Sequence, residues 1–103
     1  MTNGYERIYD IELENRQNGL HFFDADTKRF FGSRIGKEVY GGCYFITSEH
    51  AGFSDTTRRY TVRMALPDGK IETIGEFCEH ATRASALHVI RGLCAAGFCW
   101  TGF

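Results

Sequence analysis

The sequence predicts an α+β domain built from a short helix, a three-stranded antiparallel sheet and a C-terminal helix, in that order. Two patterns of apolar residues point to this fold class. Residues 58–66 alternate between two faces, as a strand does when one face is buried. Residues 82–96 repeat apolar side chains at helical spacing, at Ala86, Val89, Ile90, Leu93 and Ala96. A sheet followed by a helix that covers it makes a two-layer sandwich.

The short first helix is predicted over residues 24–31. Asp24 is a favourable N-cap residue, and Gly32 suits the end of a helix. The face that packs on the domain would consist of Phe23, Thr27, Phe30 and Phe31. A helix this short is marginal alone, so we expect the sheet to hold it.

Three segments predict the strands of the sheet, at residues 39–47, 58–66 and 71–78. Pro67-Asp68-Gly69-Lys70 predicts a hairpin turn between the last two, and Gly41-Gly42 predicts a bend in the first. The sequence does not decide which face of each outer strand is buried. The expected core contains Tyr60, Val62, Leu66, Ile74, Leu87, Ile90 and Leu93.

The hairpin also predicts cross-strand ion pairs. If Leu66 lies opposite Ile71, Glu72 and Glu76 lie diagonal to Arg63, close enough for long side chains to pair. In that register Glu76 is also diagonal to Arg59, and Ile74 falls opposite Arg63.

Residues 1–18 are predicted to be an N-terminal arm that leads into a single domain at residues 19–103. In the arm, Ile8, Ile11 and Leu13 fit either a short strand or one face of a helical turn. The arm lacks the apolar region of a secretory signal, and no run approaches the ~20 apolar residues of a membrane span. We therefore expect a cytoplasmic protein.

No constellation of residues indicates catalysis. The 13 carboxylates are scattered and form no recognisable acid/base motif. The four cysteines are expected to be free thiols, and the zinc-ligand pair spacing is missing from Cys78, His80, Cys94 and Cys99. We expect no enzymatic activity, no cofactor and no metal.

Six short motifs resemble those of a family of small proteins encoded by bacteriophages and prophages. They are HFF at residues 21–23, TKRFFGSRI at 27–35, YGG at 40–42, RYTVR at 59–63, GEF at 75–77 and ATRA at 81–84. The resemblance covers roughly residues 19–90 and brings no catalytic residues. It implies a phage or prophage protein in the cytoplasm of a bacterial host. Small phage proteins often bind and inhibit host machinery, including CRISPR–Cas and other defence complexes.

The C-terminal tail is the leading candidate for contact with a host protein complex, because it carries large apolar side chains close together. We expect partner contacts at Phe98, Trp100 and Phe103, with Phe53 in the loop before the second strand as a further candidate. The same tail could instead complete the core against Phe22, Phe30 and Phe31, or join two copies in a homodimer.

A nucleic-acid-binding module is the alternative. Its phosphate contacts would come from Arg58, Arg59, Arg63, Lys28, Arg29 and Arg34. The element order resembles that of double-stranded RNA-binding domains, and the strands and last helix resemble the arm-binding domains of phage integrases. However, the start of the last helix carries Arg83 rather than a basic cluster, and the net charge of −1 provides no global basic field.

Overall fold

A computed structural model of the chain describes residues 4–25, 34–50 and 57–100. The elements are α1 (Ile8–Gln17), β1 (Arg34–Ile35), β2 (Tyr44–His50), β3 (Arg58–Ala65), β4 (Ile71–Ile74) and α2 (Arg83–Ala95). The strands form one antiparallel sheet in the order β1-β2-β3-β4. The predicted α+β class and helix–strands–helix order are confirmed. The described sheet has four strands rather than three, because β1 pairs with the far half of β2.

The segment predicted as an arm contains α1, so the helical alternative for its apolar residues is the one observed. The backbone N–H of Arg7 donates to Asp10 Oδ2 at 3.2 Å, which closes the start of the helix. Ile11 and Asn15 are buried, and Asn15 Nδ2 donates to the Gly69 carbonyl at 2.7 Å. This contact fastens α1 to the turn between β3 and β4. The helix predicted over residues 24–31 lies almost entirely outside the described residues.

The β3–β4 hairpin is present, but its predicted register is wrong by one residue. Ala65, not Leu66, lies opposite Ile71. The turn closes early because the Gly69 N–H donates to the Leu66 carbonyl at 2.9 Å, and the Leu66 N–H donates to the Lys70 carbonyl at 2.8 Å. Gly69 has φ +82°, the left-handed conformation that a three-residue hairpin loop needs.

This correction changes which side chains share a face. Ile74 lies opposite Val62 and packs on the core, while Glu72 lies opposite Met64. The predicted pairing of Glu72 and Glu76 with Arg63 is therefore wrong. The predicted strand 71–78 also ends earlier, at Ile74: residues 75–79 leave the ladder, and His80 rejoins β3 opposite Tyr60.

Each face of the sheet carries its own apolar cluster. On one face, Ala86 and Ile90 of α2 form a buried cluster with Cys43, Tyr44, Ile46 and Val62. On the opposite face, Ile11 of α1 and Phe23 pack on Phe45 and Ala65. Of the predicted core, Val62 and Ile90 are fully buried. The others are partly buried, namely Tyr60, Leu66, Ile74, Leu87 and Leu93.

The start of β2 differs from its predicted position, whereas the start of α2 agrees with the prediction. β2 begins at Tyr44 and not at residue 39, because residues 41–43 form a turn in which the Tyr40 N–H donates to the Tyr44 carbonyl at 2.8 Å. α2 starts where predicted, with Thr82 Oγ1 accepting from the Ser85 N–H at 3.1 Å. Within the described residues, no helix has the length and apolar character that crossing a membrane requires.

Candidate functional site

The end of α2 turns the C-terminal tail back onto the domain. Gly97, at φ +89°, lets its N–H donate to the Cys94 carbonyl at 3.1 Å, while the Phe98 N–H donates to the Leu93 carbonyl at 2.9 Å. This pair of bonds is a Schellman motif, which ends the helix and reverses the chain. The Trp100 N–H then donates to the Gly41 carbonyl at 2.8 Å and holds the reversed tail beside the turn before β2.

The reversed tail forms one wall of an apolar groove of about 480 Å³. Its lining comes from the sheet, from α2 and from the tail, at Tyr44, Met64, Ile74, Leu93, Gly97, Phe98, Cys99 and Trp100. None of these side chains carries a full charge at neutral pH. The Tyr44 hydroxyl donates to the Phe98 carbonyl and so ties the tail to the strand beneath it.

The two aromatic side chains of the tail are exposed to different degrees. Phe98 is 64% exposed, the highest fraction among the large apolar side chains described. Trp100 is half-buried and its ring lies 5.8 Å from that of Tyr5. The predicted packing of the tail against Phe22 is wrong, because Phe22 packs with Phe23 and Phe45 on the other face of the sheet. The candidates Phe53 and Phe103 lie outside the described residues.

The rim of the groove is formed by β4, the last strand of the described sheet. Glu72 is exposed and, opposite Met64, points to the same face as the groove. Because Leu66 and Lys70 form a hydrogen-bonded pair, the alternation of an antiparallel ladder turns the backbone groups of Ile71 and Thr73 away from β3. The groove is thus bordered by a strand edge and one carboxylate.

Arg63, a predicted phosphate contact, is instead the centre of a polar network on the opposite face. Its Nη2 lies 3.0 Å from Glu49 Oε2, its Nε donates to Thr47 Oγ1 at 3.0 Å and its Nη1 donates to Thr73 Oγ1 at 2.6 Å. The guanidinium also lies 5.3 Å from the Phe22 ring and 5.7 Å from the Phe77 ring. These contacts engage all three guanidinium nitrogens of Arg63, so this side chain stabilises the sheet rather than facing a ligand.

The other predicted basic residues do not form one surface. Arg58 and Arg59 are adjacent on β3 and point to opposite faces. Arg58 Nη1 donates to the Ser48 carbonyl at 3.3 Å on the α2 side. There, Arg34 and Arg83 line a small hollow of about 130 Å³ with Ser48 and Tyr60. Lys28 and Arg29 lie outside the described residues.

The thiol of Cys78 lacks the features of an activated nucleophile. Cys78 sits in the excursion after β4 with φ +58°, where its N–H donates to Thr61 Oγ1 at 2.8 Å. Burial, with the Glu49 carboxylate as the next cause, raises the pKa of the Cys78 thiol above its ordinary value. A catalytic cysteine that is activated at neutral pH needs the opposite shift, because the thiolate is the nucleophile.

The cysteine and histidine side chains considered as zinc ligands do not all lie together. His80 Nδ1 lies 2.8 Å from Ser85 Oγ at the start of α2, while Cys78 lies across the sheet beside Glu49. Over residues 4–25, 34–50 and 57–100, no three His, Cys, Asp or Glu side chains have an arrangement that could hold a metal ion.

Sequence reasoning missed the sheet side of the groove. Tyr44, Met64 and Leu93 are far apart in the chain and read as ordinary core positions. In the sequence, the apolar residues of the tail are the one indication of this site. They do not indicate the residues of the sheet and of α2 that complete the groove.

Comparison with known proteins gives one result. The model of the family DUF7447, a family of unknown function, matches residues 7–91. Neither the curated proteins nor the solved structures yield a match. The matched span runs from the N-cap of α1 into the last turns of α2, and so takes in every strand of the sheet. The chain therefore belongs to the DUF7447 family of unknown function.

Proposed function

We propose that this chain is a phage-encoded, non-catalytic protein that binds a host protein complex in the bacterial cytoplasm and inhibits or modulates it. The phage context rests on the resemblance of the six sequence motifs. The binding role rests on one structural observation, the exposed Phe98 at the mouth of an apolar groove. Exposed apolar surface beside a concave site is typical of protein-interaction surfaces.

The groove defines the chemistry of the partner. Its uncharged lining suits a large apolar side chain. Trp is a residue type enriched in interface hot spots, and Phe is enriched in protein interfaces generally. The carboxylate of Glu72 at the rim suits a basic side chain next to that apolar anchor. We therefore expect the partner to present an extended segment with one apolar and one basic residue close together.

Two observations support a role in binding rather than catalysis. The Cys78 thiol has a raised pKa, and the most deeply buried carboxylate described, Glu49, is occupied by Arg63 and by Thr61 Oγ1 at 3.0 Å. A general base or nucleophile needs access to a reacting group. Among the side chains that line the groove, the Cys99 thiol and the Tyr44 hydroxyl are the ionisable groups.

Nucleic-acid binding is the second candidate function, and the hollow beside the start of α2 favours it. Arg34 and Arg83 line this hollow together with Tyr60, so one phosphate and one stacked base would find partners there. Arg83 is also 3.8 Å from Glu38, which partly neutralises it. Binding at this site would weaken steeply with salt, because it would release counterions from the nucleic acid.

The test is a pull-down from a bacterial lysate, with and without nuclease, using the parent chain and the variants Phe98→Ala, Tyr9→Ala and Arg34→Ala. Phe98→Ala removes the exposed aromatic ring of the groove. Tyr9→Ala is the matched control, since Tyr9 is 60% exposed on α1 and does not line the groove. We expect a defined set of host proteins that the parent and Tyr9→Ala capture after nuclease treatment and that Phe98→Ala does not.

Two results would count against the proposal. If nuclease removes the captured material and Arg34→Ala also loses it, the nucleic-acid function is the better account. If Phe98→Ala captures the same proteins as the parent, the groove is not the contact surface.

A further inference from the structure

Cys94 and Cys99, from the C-terminal end of α2 and the tail, meet Cys43 at the turn before β2, beside Gly41. A Cβ atom on Gly41 would lie 2.7 Å from Cys94 Sγ and 3.3 Å from Cys99 Sγ, so the two sulfurs lie within about 6 Å of each other. The Cys99 thiol donates to the backbone carbonyl of Cys94, with Sγ and O 4.0 Å apart. Cys43 is completely buried beside them.

The local fold explains why Cys99 returns to Cys94. The Schellman motif at Gly97 reverses the chain after α2. The hydrogen bond from the Trp100 N–H to the Gly41 carbonyl then holds the reversed segment against the turn before β2. Cys94 is in the last turn of the helix, and Cys99 comes two residues after the reversal. Both side chains are partly accessible, whereas Cys43 is sealed behind them.

We propose that Cys94 and Cys99 form a redox pair that closes into an intramolecular disulfide when the protein meets a small disulfide oxidant such as oxidised glutathione. This inference does not depend on the proposed function. The disulfide would close a ring that contains Phe98, and it would therefore fix one wall of the groove.

The reaction balances as two successive thiol–disulfide exchanges. The thiolate of one cysteine attacks a sulfur of oxidised glutathione, so a mixed disulfide forms and one glutathione leaves as a thiolate. The thiolate of the other cysteine then attacks the mixed disulfide at the protein sulfur and releases the second glutathione. The two cysteines are oxidised, one oxidised glutathione is reduced to two glutathiones, and the two cysteine protons end on those products.

The test uses the folded parent chain, incubated with oxidised glutathione at pH 8.5, quenched by alkylation and mapped by proteolysis and mass spectrometry. We expect the loss of two of the four thiols and one cross-linked product that joins Cys94 to Cys99. Trp100, the single tryptophan, is next to Cys99, so its fluorescence should change with the same time course and recover on reduction.

Single variants supply the controls. Cys78→Ser should leave the disulfide unchanged, because Cys78 lies on the opposite face of the sheet. Cys94→Ser and Cys99→Ser should abolish it and stop at a mixed disulfide with glutathione. The inference is overturned if all four thiols of the folded parent stay reduced, if the only product is glutathionylated, or if the disulfide joins Cys43 or Cys78.

Discussion

Arg63 and Glu49 form a buried ion pair between the two central strands, with Nη2 and Oε2 3.0 Å apart and side chains 12% and 1% exposed. The two residues are offset by four positions along β2 and β3, because Glu49 is opposite Arg59 and Arg63 is opposite Phe45, so the Arg63 side chain extends past Thr47 to reach the carboxylate. Two aromatic rings cover the guanidinium, and three threonines complete the hydrogen bonds of the pair. The pair joins β2 to β3 on the face of the sheet that carries Phe45.

Removing one charge of this pair should lower the free energy of unfolding substantially. Glu49→Gln leaves the Arg63 charge buried without its counterion, so we expect a loss of about 3–5 kcal/mol in the free energy of unfolding, measured by urea titration. The control is Glu12→Gln, because the pair of Glu12 with Arg16 is exposed on α1 and should contribute less than about 1 kcal/mol. Equal losses in the two variants would contradict the structural role of Glu49.

Two glycine substitutions should change stability in opposite directions. A Cβ on Gly69 would lie 2.5 Å from the backbone nitrogen of Asn15, and Gly69 has φ +82°. We therefore expect Gly69→Ala to lower the free energy of unfolding by about 1–3 kcal/mol. Gly92 lies inside α2 with nothing within 4 Å of its Cβ position, so Gly92→Ala should raise stability by about 0.5–1 kcal/mol. The docking of α1 on the hairpin turn is wrong if Gly69→Ala is neutral.

The buried thiols should react slowly at neutral pH. Burial raises the pKa of Cys43 to about 11 and that of Cys94 to about 12. For Cys94, the neighbouring Cys99 and Cys43 thiols raise it further, and the Tyr44 hydroxyl also faces this group. Alkylation of both thiols in the folded chain should accelerate about tenfold per pH unit between pH 7 and 10. In the urea-unfolded chain, the rate should level off near the ordinary thiol pKa of 9.0.

The same shifts predict the direction of the stability change at high pH. The folded state holds these thiol protons more tightly than the unfolded state, so their contribution is complete below about pH 9. It should be lost as the pH rises toward the folded-state pKa values of about 11 and about 12. A thermal-unfolding series across this range should show a smaller decline for Cys94→Ala than for the parent. An identical decline would show that the folded environment does not raise the pKa of the Cys94 thiol.

Substitution of the two aromatic tail residues, Trp100 and Phe98, should change the stability of the fold to different degrees. Trp100 is half-buried against Tyr5, so Trp100→Ala should cost about 2 kcal/mol of unfolding free energy, less than a fully buried ring. Phe98 is 64% exposed, so Phe98→Ala should change stability by less than about 0.5 kcal/mol. Urea titrations of both variants check this difference. A large loss from Phe98→Ala would place that ring in the core instead.

The parts of the fold that could be predicted from the sequence are those that local patterns define. The apolar stripe and Thr82 define α2, and the alternation of residues 58–66 defines β3. The sequence does not decide between strand and helix for α1, because this segment has few apolar residues. Its contact with Gly69, 54 residues away, holds it in place. Local propensity does not contain that information.

The hairpin register could not be predicted because a three-residue and a four-residue loop both fit the turn sequence. That one-residue difference moved the partner of Arg63 from β4 to Glu49 of β2. The groove and the thiol cluster were missed for a related reason. Both depend on the chain reversal at Gly97, which brings the tail onto the turn before β2. The sequence shows that the tail is apolar, but it does not indicate which part of the domain the tail contacts.

The most direct test of the groove as a binding surface is the affinity of a partner purified from the pull-down. Titration calorimetry should compare its binding to the parent, to Phe98→Ala and to Tyr9→Ala at two salt concentrations. We predict that Phe98→Ala weakens binding at least about 30-fold, which corresponds to about 2 kcal/mol, while Tyr9→Ala binds like the parent. The dissociation constant of the parent should change little with salt. Equal affinities for Phe98→Ala and the parent, or a steep salt dependence for all three proteins, would contradict a binding role for the groove.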